Sequence, residues 1–215
     1  MNIEIISDTI CPWCFIGKRR FEKALKQRPE LDVNVSWRAF FLNPDMPAEG
    51  MERKDYVERK FGGKERAQAI YDRISEAGAG ENITFRFDLI KRTPNTTDSH
   101  RLIHFAEQKG CQDAVVEILF RRYFLEGQNI GDTAVLSDAA LEAGINRDEA
   151  TQYLEGDADR EKIKAAYIRA NSLGVTGVPF FIFDNRYAIS GAQPPEVFLQ
   201  VFDRLQEEQT EPTAK

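Results

Sequence analysis

Residues 3–14 read IEIISDTICPWC, which places a short apolar run directly before a Cys-Pro-Trp-Cys motif at residues 11–14. An amphipathic run follows at residues 15–27. This order predicts a strand, a tight turn and a helix that begins inside the motif. Pro12 fits the first turn of such a helix, because the N–H that proline lacks would have no partner there. The sequence therefore predicts two thiols at the N-terminus of a helix.

The position of the two cysteines predicts a redox pair. A helix N-terminus carries unpaired N–H groups and the positive end of the helix dipole, so a sulfur placed there is stabilised as the reactive thiolate. We expect Cys11 to be the exposed nucleophile. Cys14 comes nearly one turn later on the same side and would resolve a mixed disulfide, and Trp13 is expected at the rim of the site. Structural cysteines or half of a zinc site are the alternative, but a strand-flanked C-x-x-C motif is typical of redox proteins.

The composition limits the classes of protein that fit. The 215 residues suit one domain, or one domain with a large insertion, and an apolar content of 42% supports a substantial core. The net charge of −6 disfavours a nucleic-acid partner, and no apolar run is long enough to predict a membrane span. We expect a cytoplasmic location, since the N-terminal residues lack a signal-type segment and three cysteines are too few for a secreted disulfide scaffold.

The order of strand and helix patterns predicts the fold class. Period-two alternation at residues 33–41 and the apolar run 180–183 indicate strands, and 187–190 returns as a paired strand. Helical patterns that end at glycines occupy the middle of the chain. We predict an α/β protein, a thioredoxin-like sheet (β-α-β … β-β-α) with a large inserted all-helical domain. The predicted boundaries are 1–45 plus 171–208 for the sheet domain, 46–170 for the insertion and 209–215 for a frayed tail.

A second motif, Gly-Val-Pro at residues 177–179, comes just before the predicted strand 180–183. By itself, Pro179 fits a trans proline at the start of a strand as well as a cis bond. Beside a C-x-x-C motif, a cis Val178–Pro179 bond is favoured. Pro179 would then lie against the cysteine pair, and the backbone N–H and C=O of Val178 would hold an extended substrate segment as an added strand.

Other polar residues carry weaker signals. His100 and His104 are one helical turn apart, but the sequence distance from Cys14 to His100 is far too long for a zinc finger, so no metal is expected. Asp8, just before the motif, is a candidate for moving the Cys14 proton. The basic run at residues 18–20 is interpreted as a solvated helix face.

Three motifs together resemble the DsbA-like thioredoxin superfamily: CPWCFIGK at residues 11–18, GVPFFI at 177–182 and ISGAQ at 189–193. The segments 93–100 and 124–132 resemble its FrnE-type branch of cytosolic proteins. The resemblance runs over residues 2–205. Kappa-class glutathione transferases and 2-hydroxychromene-2-carboxylate isomerases are related branches.

The resemblance implies a role for each residue of the two main motifs. Cys11 matches the nucleophilic cysteine, Cys14 the resolving cysteine and Pro179 the cis-proline with its substrate-facing neighbour Val178. Trp13 stands where DsbA itself has a histidine. Because that cationic helper is missing, the resemblance implies a less oxidising disulfide than in DsbA.

The resemblance also implies a substrate groove where the insertion faces the cysteines. Residues 40–44 and 95–100 would line it, with Asn95 and His100 among the substrate-binding residues. Ser190 matches the position at which the related branches hold the γ-glutamyl end of glutathione, so it is a further predicted substrate-binding residue.

These observations predict an enzyme, a thiol–disulfide oxidoreductase acting on protein or small-thiol disulfides. The alternative is a glutathione-dependent transferase or isomerase in which Cys11 activates bound glutathione. A binding module that uses the groove is a third hypothesis. The expected partners are disulfide- or thiol-containing proteins or glutathione, without nucleic acid or membrane. No cofactor is expected other than glutathione as a co-substrate. The sequence does not decide the oligomeric state, and a homodimer is one alternative.

Overall fold

The computed structural model describes residues 1–210, with side chains to residue 208. In chain order the elements are β1 (Asn2–Ser7), α1 (Pro12–Lys26), β2 (Asn34–Ala39), β3 (Met51–Glu52), α2 (Arg53–Phe61), α3 (Lys64–Ala79), β4 (Arg92–Thr93), α4 (Thr97–Gln108), α5 (Gln112–Phe124), α6 (Thr133–Glu142), α7 (Arg147–Glu155), α8 (Arg160–Ser172), β5 (Phe180–Phe183), β6 (Tyr187–Ser190) and α9 (Pro195–Thr210).

The two ends of the chain build one four-stranded sheet with the order β2-β1-β5-β6. β1 pairs parallel with β2 through the α1 connection and antiparallel with β5, which in turn pairs antiparallel with β6. Ile5 pairs with both Trp37 and Phe181, which fixes the register at the centre of the sheet. This is the predicted thioredoxin-like arrangement, and β5 and β6 begin and end at the predicted residues.

Helices cover both faces of this sheet. On one face the ring of Phe181 lies 5.6 Å from Phe21 of α1 and 4.9 Å from Phe198 of α9, measured between centroids. On the other face Ile6 shares a buried cluster with Ala170, so α8 packs on the sheet although most of it falls within the predicted insertion. Because the second half of β1 is buried on both sides, Ile5 and Ile6 follow each other and the strand does not alternate strictly.

Residues 46–170, which were predicted to form the insertion, are largely helical but also contain a small sheet. β3 and β4 pair antiparallel through Met51 with Thr93 and Glu52 with Arg92. Arg53, the first residue of α2, donates its N–H to Lys91 O at 2.8 Å and so extends the pairing into the helix. Strands of two residues are too short for a period-two pattern, which is why the prediction of an all-helical insertion missed them.

The helix α1 packs against the insertion as well as the sheet. The ring of Phe15 lies 5.2 Å from Phe120, 6.4 Å from Phe124 and 6.2 Å from Phe85. Phe15 directly follows Cys14 in the chain. The aromatic core of the insertion therefore holds the cysteine motif in place from one side.

The basic run at residues 18–20 is not a solvated face, so this prediction is wrong. Lys18 is 2% exposed and its Nζ lies 3.1 Å from Asp113 and 3.2 Å from Glu117, with Glu22 as a third partner. Although burial alone would lower the pKa of Lys18, the three carboxylates outweigh it and raise that pKa. Two of these partners lie about a hundred residues away in sequence, where no local pattern could reveal them.

The C-terminal helix α9 runs to Thr210, two residues into the predicted tail. The rest of that tail, residues 211–215, lies outside the described residues. Over the described part of the chain, no helix combines the length and the apolar character that crossing a membrane requires.

Candidate active site

The cysteine motif sits at the junction of β1 and α1. Cys11 is the residue before the helix, with extended backbone angles of φ −91° and ψ 110°, and Pro12 is the first helical residue. The Cys11 N–H donates to Asp8 O at 3.0 Å, and the Cys14 N–H donates to Cys11 O at 3.0 Å. Both cysteines are free thiols. The sequence-predicted strand, turn and helix therefore place both thiols in the first turn of α1.

The two thiols differ in their surroundings. Cys14 is 1% exposed, and burial raises the pKa of its thiol well above the ordinary value. Its hydrogen bond to Cys11 and the charge of that neighbour raise the pKa further, while Ser7 and the Asp8 backbone act in the opposite sense without offsetting the burial. Cys14 is therefore a protonated thiol at neutral pH.

The sequence predicted that Cys11 is exposed at the surface, but the structure buries it. Its exposed fraction is 4%, and it lies in the wall of a cavity. A disulfide would therefore reach it through the cavity.

The loop before β5 meets the motif. The Val178–Pro179 peptide bond is cis, the form that we expected from the sequence. Cys11 Sγ lies 3.5 Å from Val178 O. Gly17 of α1 allows the close approach of Pro179, because a Cβ at Gly17 would lie only 2.8 Å from Pro179 Cγ. Pro179 O accepts from the Gly191 N–H at 2.8 Å, which ties this loop to the end of β6.

A cavity of about 270 Å³ opens beside Cys11, between the sheet and the insertion. Its walls are mostly aromatic and aliphatic. Trp13 and Ile70, at 38% and 39% exposure, are the most exposed apolar side chains of the wall. The lining residues are Ile10, Cys11, Pro12, Trp13, Leu42, Arg53, Tyr56, Lys60, Phe61, Ile70, Tyr71, Ile74, Phe87, Tyr123, Phe124, Gly177 and Val178.

A buried carboxylate lies beneath the motif. Asp8 is fully buried, and its Oδ2 accepts from the Leu42 N–H at 2.8 Å. Its Oδ1 has no hydrogen-bond partner among residues 1–210 and lies 3.5 Å from His100 Nε2. That nitrogen is also 3.1 Å from Phe40 O. Asp8 and His100 thus anchor the segment after β2, including the cavity residue Leu42.

Of the predicted substrate-binding residues, Pro179, His100, Asn95 and Ser190 do not line this cavity. His100 is 3% exposed and contacts Asp8 instead. The side chain of Asn95 forms hydrogen bonds to the backbone of nearby segments. It donates to Met46 O at 2.8 Å and accepts from the Thr97 N–H at 2.9 Å. Ser190 is exposed and pairs with Phe180, one residue after Pro179. The structure brings Cys11, Trp13 and Val178 together in the cavity wall, with Cys14 and Pro179 packed behind them.

The insertion supplies cavity residues that the sequence reasoning missed. Arg53, Tyr56 and Lys60 follow one another at i, i+3 and i+7, a spacing that places them on one face of α2. This spacing is the one sequence signal that groups the three residues. It does not assign them to the site, because no local pattern indicates that this face of α2 lies beside Cys11.

The two histidines lie outside the cysteine site. His104 Nδ1 is 3.5 Å from Glu107, and its Nε2 is 3.8 Å from Asp159. Across residues 1–210, no three His, Cys, Asp or Glu side chains form a group suited to a metal ion.

Comparison with known proteins relates this geometry to a family. Residues 2–203 match the family described as DSBA-like thioredoxin domain. A probable DsbA oxidoreductase from Streptomyces coelicolor is 34% identical, with a TM-score of 0.87 and coverage of 100% of this chain and 94% of that one. The uncharacterized protein YwbO of Bacillus subtilis is 29% identical over 202 residues, which are 92% of this chain and 94% of YwbO. The cytosolic disulfide reductase DsbM from Pseudomonas aeruginosa, solved with GSH, shares the fold at 20% identity, with a TM-score of 0.61 and coverage of 95% and 100%.

Proposed function

Because the chain belongs to the DSBA-like thioredoxin domain family, we propose that it is a thiol–disulfide oxidoreductase whose reactive pair is Cys11 and Cys14. The observation that carries this proposal is the position of Cys11 Sγ, 3.5 Å from Val178 O in the wall of an accessible cavity, with the protonated Cys14 thiol behind it. A nucleophile and a resolving thiol need these two different environments.

In the reducing direction, the reaction begins with a substrate disulfide in the cavity. The Cys11 thiolate attacks one of its sulfurs, the substrate S–S bond breaks, and the leaving thiolate takes up a proton. Cys11 is then joined to the other half of the substrate in a mixed disulfide. An extended substrate segment would lie along the Val178 backbone as an added strand.

The second step uses Cys14. Its thiol loses the proton, its sulfur attacks Cys11 Sγ, and the second substrate thiolate leaves and is protonated. Counting the proton that Cys11 releases when its thiolate forms, the protein has then lost two electrons and two protons, which reduce the substrate to two thiols. A low-molecular-weight thiol restores the dithiol by the reverse exchange, and the same steps run backwards oxidise a substrate dithiol.

Glutathione is one such thiol, and it enters the proposal in two ways. DsbM, which shares the fold, is a disulfide reductase solved with GSH, so glutathione is a reasonable reductant to test. The competing proposal is a glutathione-dependent transferase or isomerase, in which Cys11 activates the bound thiol and Cys14 has no chemical role. A cytoplasmic location stays a prediction under both.

Turnover by cysteine variants separates the two proposals. Reduction of insulin and of glutathione disulfide is measured for the wild type and for Cys11→Ser, Cys14→Ser and Cys111→Ser. We expect Cys11→Ser and Cys14→Ser to lose turnover to the uncatalysed background, since each step needs one of these sulfurs. Cys111 is half-buried and lies outside the cavity, so Cys111→Ser serves as the control with wild-type turnover.

Two outcomes would contradict the oxidoreductase proposal. Cys14→Ser with full activity and tight glutathione binding would favour the transferase or isomerase. Cys11→Ser with wild-type function would favour a binding module.

A further inference from the structure

We propose that the cavity beside Cys11 selects disulfides that carry an aromatic or apolar group together with an anionic group next to the attacked sulfur. This rests on the oxidoreductase function proposed above. Arg53 and Lys60 are cations of the cavity wall, and none of its 17 residues is Asp or Glu. The whole chain has 35 acidic and 29 basic residues, so the cavity has the opposite charge balance to the rest of the protein.

The guanidinium of Arg53 is held by neutral groups. It donates to Thr93 Oγ1 at 3.0 Å and to Tyr71 OH at 2.6 Å, and its carbon lies 5.2 Å from the Tyr56 ring centroid and 5.3 Å from that of Tyr71. Within residues 1–210 it forms no ion pair. These contacts fix its position without cancelling its charge, and they use two of its five N–H donors.

Lys60 provides a second charge on the same face of α2. Its Nζ donates to Leu42 O and to Asn43 Oδ1, both at 3.2 Å, and over the described residues it also has no carboxylate partner. A neighbouring hollow shares Lys60 and also contains Arg59, but its lining includes the carboxylate of Asp45, which offsets part of the positive charge. The cavity that Cys11 lines therefore has two cations without a carboxylate partner among the described residues, in contrast to α1, where Lys18 is paired with three carboxylates.

The remaining walls suit a flat apolar group. Burial raises the pKa of Tyr56, Tyr71 and Tyr123, so the three phenols stay neutral and add no negative charge. Trp13 and Phe87, which are far apart in the sequence, add two more aromatic side chains to the wall. The volume of about 270 Å³ is slightly below the range of about 300–1,000 Å³ that is usual for ligand pockets. It fits one aromatic or branched group with its anionic substituent.

Two small aromatic disulfides test the proposal. 5,5′-Dithiobis(2-nitrobenzoate) carries a carboxylate on each ring, and 4,4′-dithiodipyridine is neutral at pH 7.5. In each reaction the Cys11 thiolate forms a bond to one reagent sulfur and the other aromatic thiolate leaves, which gives a measurable absorbance change. Rates are measured in a Cys111→Ser background, because Cys111 is a further free thiol.

The measured quantity is the ratio of the two second-order rate constants, anionic reagent over neutral reagent. A change in the reactivity of Cys11 alters both rates alike and cancels in this ratio. Lys60→Glu should lower the ratio about tenfold at low salt, because it replaces an attraction by a repulsion at a partly solvated site. The difference should shrink at about 1 M salt, where screening acts within about 3 Å.

Lys54→Glu is the matched control. Lys54 is exposed on the same helix and does not line the cavity. Its replacement by glutamate changes the net charge by the same amount as Lys60→Glu. Its ratio should stay within about twofold of wild type, since an exposed charge away from the site is largely screened.

The two proposals fail in different ways. Equal ratios for Lys60→Glu and Lys54→Glu would overturn the charge selectivity and leave the oxidoreductase proposal standing. Rates that persist in Cys11→Ser would overturn the oxidoreductase proposal itself.

A second pair of probes distinguishes a peptide source of this chemistry from a small-molecule source. Disulfide-linked dimers of Phe-Cys-Glu and of Phe-Cys-Lys compete for the wild type and for Lys60→Glu. A preference for the acidic peptide that Lys60→Glu removes indicates acidic protein segments as substrates. Charge selectivity on the small aromatic reagents alone indicates small acidic disulfides, and no selectivity on either pair contradicts the proposal.

Discussion

Cys11 and Cys14 are three residues apart but meet different environments. Cys11 lies in the cavity wall beside Val178 O, whereas Cys14 is enclosed by Ser7, the Asp8 backbone and Phe15. Burial is the dominant effect at Cys14 and favours its neutral form. The order of attack in the proposed reaction follows from this difference in surroundings.

The Cys14 thiol should ionise only at strongly alkaline pH. In a Cys11→Ser, Cys111→Ser variant, burial of Cys14 remains and keeps its pKa raised. The thiolate absorbance of the folded variant should therefore rise well above pH 8.5, roughly the midpoint of an unfolded thiol. A raised pKa also means that this thiol favours the fold below that pH and loses its contribution as the pH increases. A folded-state midpoint at the unfolded value would contradict the assigned environment.

Gly17 is expected to be necessary for the contact between α1 and Pro179. In Gly17→Ala the added methyl would lie 2.8 Å from Pro179 Cγ, so either the helix α1 or the loop that contains Pro179 must shift. Overpacking costs about 1–3 kcal/mol, and the higher helix propensity of alanine returns about 1 kcal/mol. Stability should therefore fall only modestly, while insulin reduction should fall about tenfold because the shift changes the contact of Cys11 with Val178.

Gly80→Ala is the control for helix propensity. Gly80 follows α3 with a φ of −63°, and the nearest atom to its added Cβ would be Ala77 O at 3.5 Å. We expect wild-type turnover in this variant. If Gly17→Ala also reduces insulin at the wild-type rate, the packing of Pro179 on α1 does not position the site.

At the scale of elements, α1 joins the sheet to the insertion. Phe21 packs towards the sheet, and Phe15 packs on the aromatic rings of α5. Lys18 and Arg19 form ion pairs with Glu117 of α5, and Arg20 pairs with Glu81 at 2.7 Å. The helix that carries the cysteines is therefore fixed on both sides, which limits its movement relative to the cavity.

Removing the Lys18 charge should destabilise the protein. Lys18→Met keeps most of the apolar stem but leaves Glu22, Asp113 and Glu117 close together without their buried cation. Because these carboxylates are partly exposed, we expect a loss of about 1–3 kcal/mol in the free energy of unfolding, less than for a fully buried pair. Urea denaturation measures this loss.

The loss of unfolding free energy in Lys18→Met should depend on pH and should be specific to the buried Lys18. Although burial would raise the pKa of Glu117, Arg19 and Lys18 hold it below the usual value. A lowered pKa stabilises the fold above the unfolded value and loses this effect in acid, so the difference from wild type should shrink below about pH 4. Lys26→Met, exposed on the same helix, is the control. Equal unfolding midpoints for both variants would show that the Lys18 cluster does not stabilise the α1–α5 contact.

At the scale of the whole molecule, local patterns predicted the sheet and the main helices. The apolar run at β5 and the Asp184-Asn185 turn fix a hairpin within a few residues, and both turn residues adopt a positive φ. Val178 and Pro179 could be placed because their motif has a recognisable partner in the cysteine motif. The β3–β4 pair could not, since its strands are short and some forty residues apart.

The cavity was the least predictable part of the molecule. Arg53 and Lys60 come from α2, and Tyr123 from α5, all far in sequence from Cys11. Their position depends on how the insertion folds back over the sheet, which periodicity does not specify. His100 looked available from the sequence but is buried against Asp8, because the segment after β2 passes over it.

The most direct test of the central claim is a trapping measurement. A Cys14→Ser, Cys111→Ser variant is mixed with the disulfide-linked Phe-Cys-Glu dimer and examined by mass spectrometry after proteolysis. We predict one peptide adduct per chain, bound through a disulfide to Cys11, because the first exchange proceeds and the resolving thiol is missing. If no adduct forms on Cys11, that residue is not the nucleophile of a thiol–disulfide exchange.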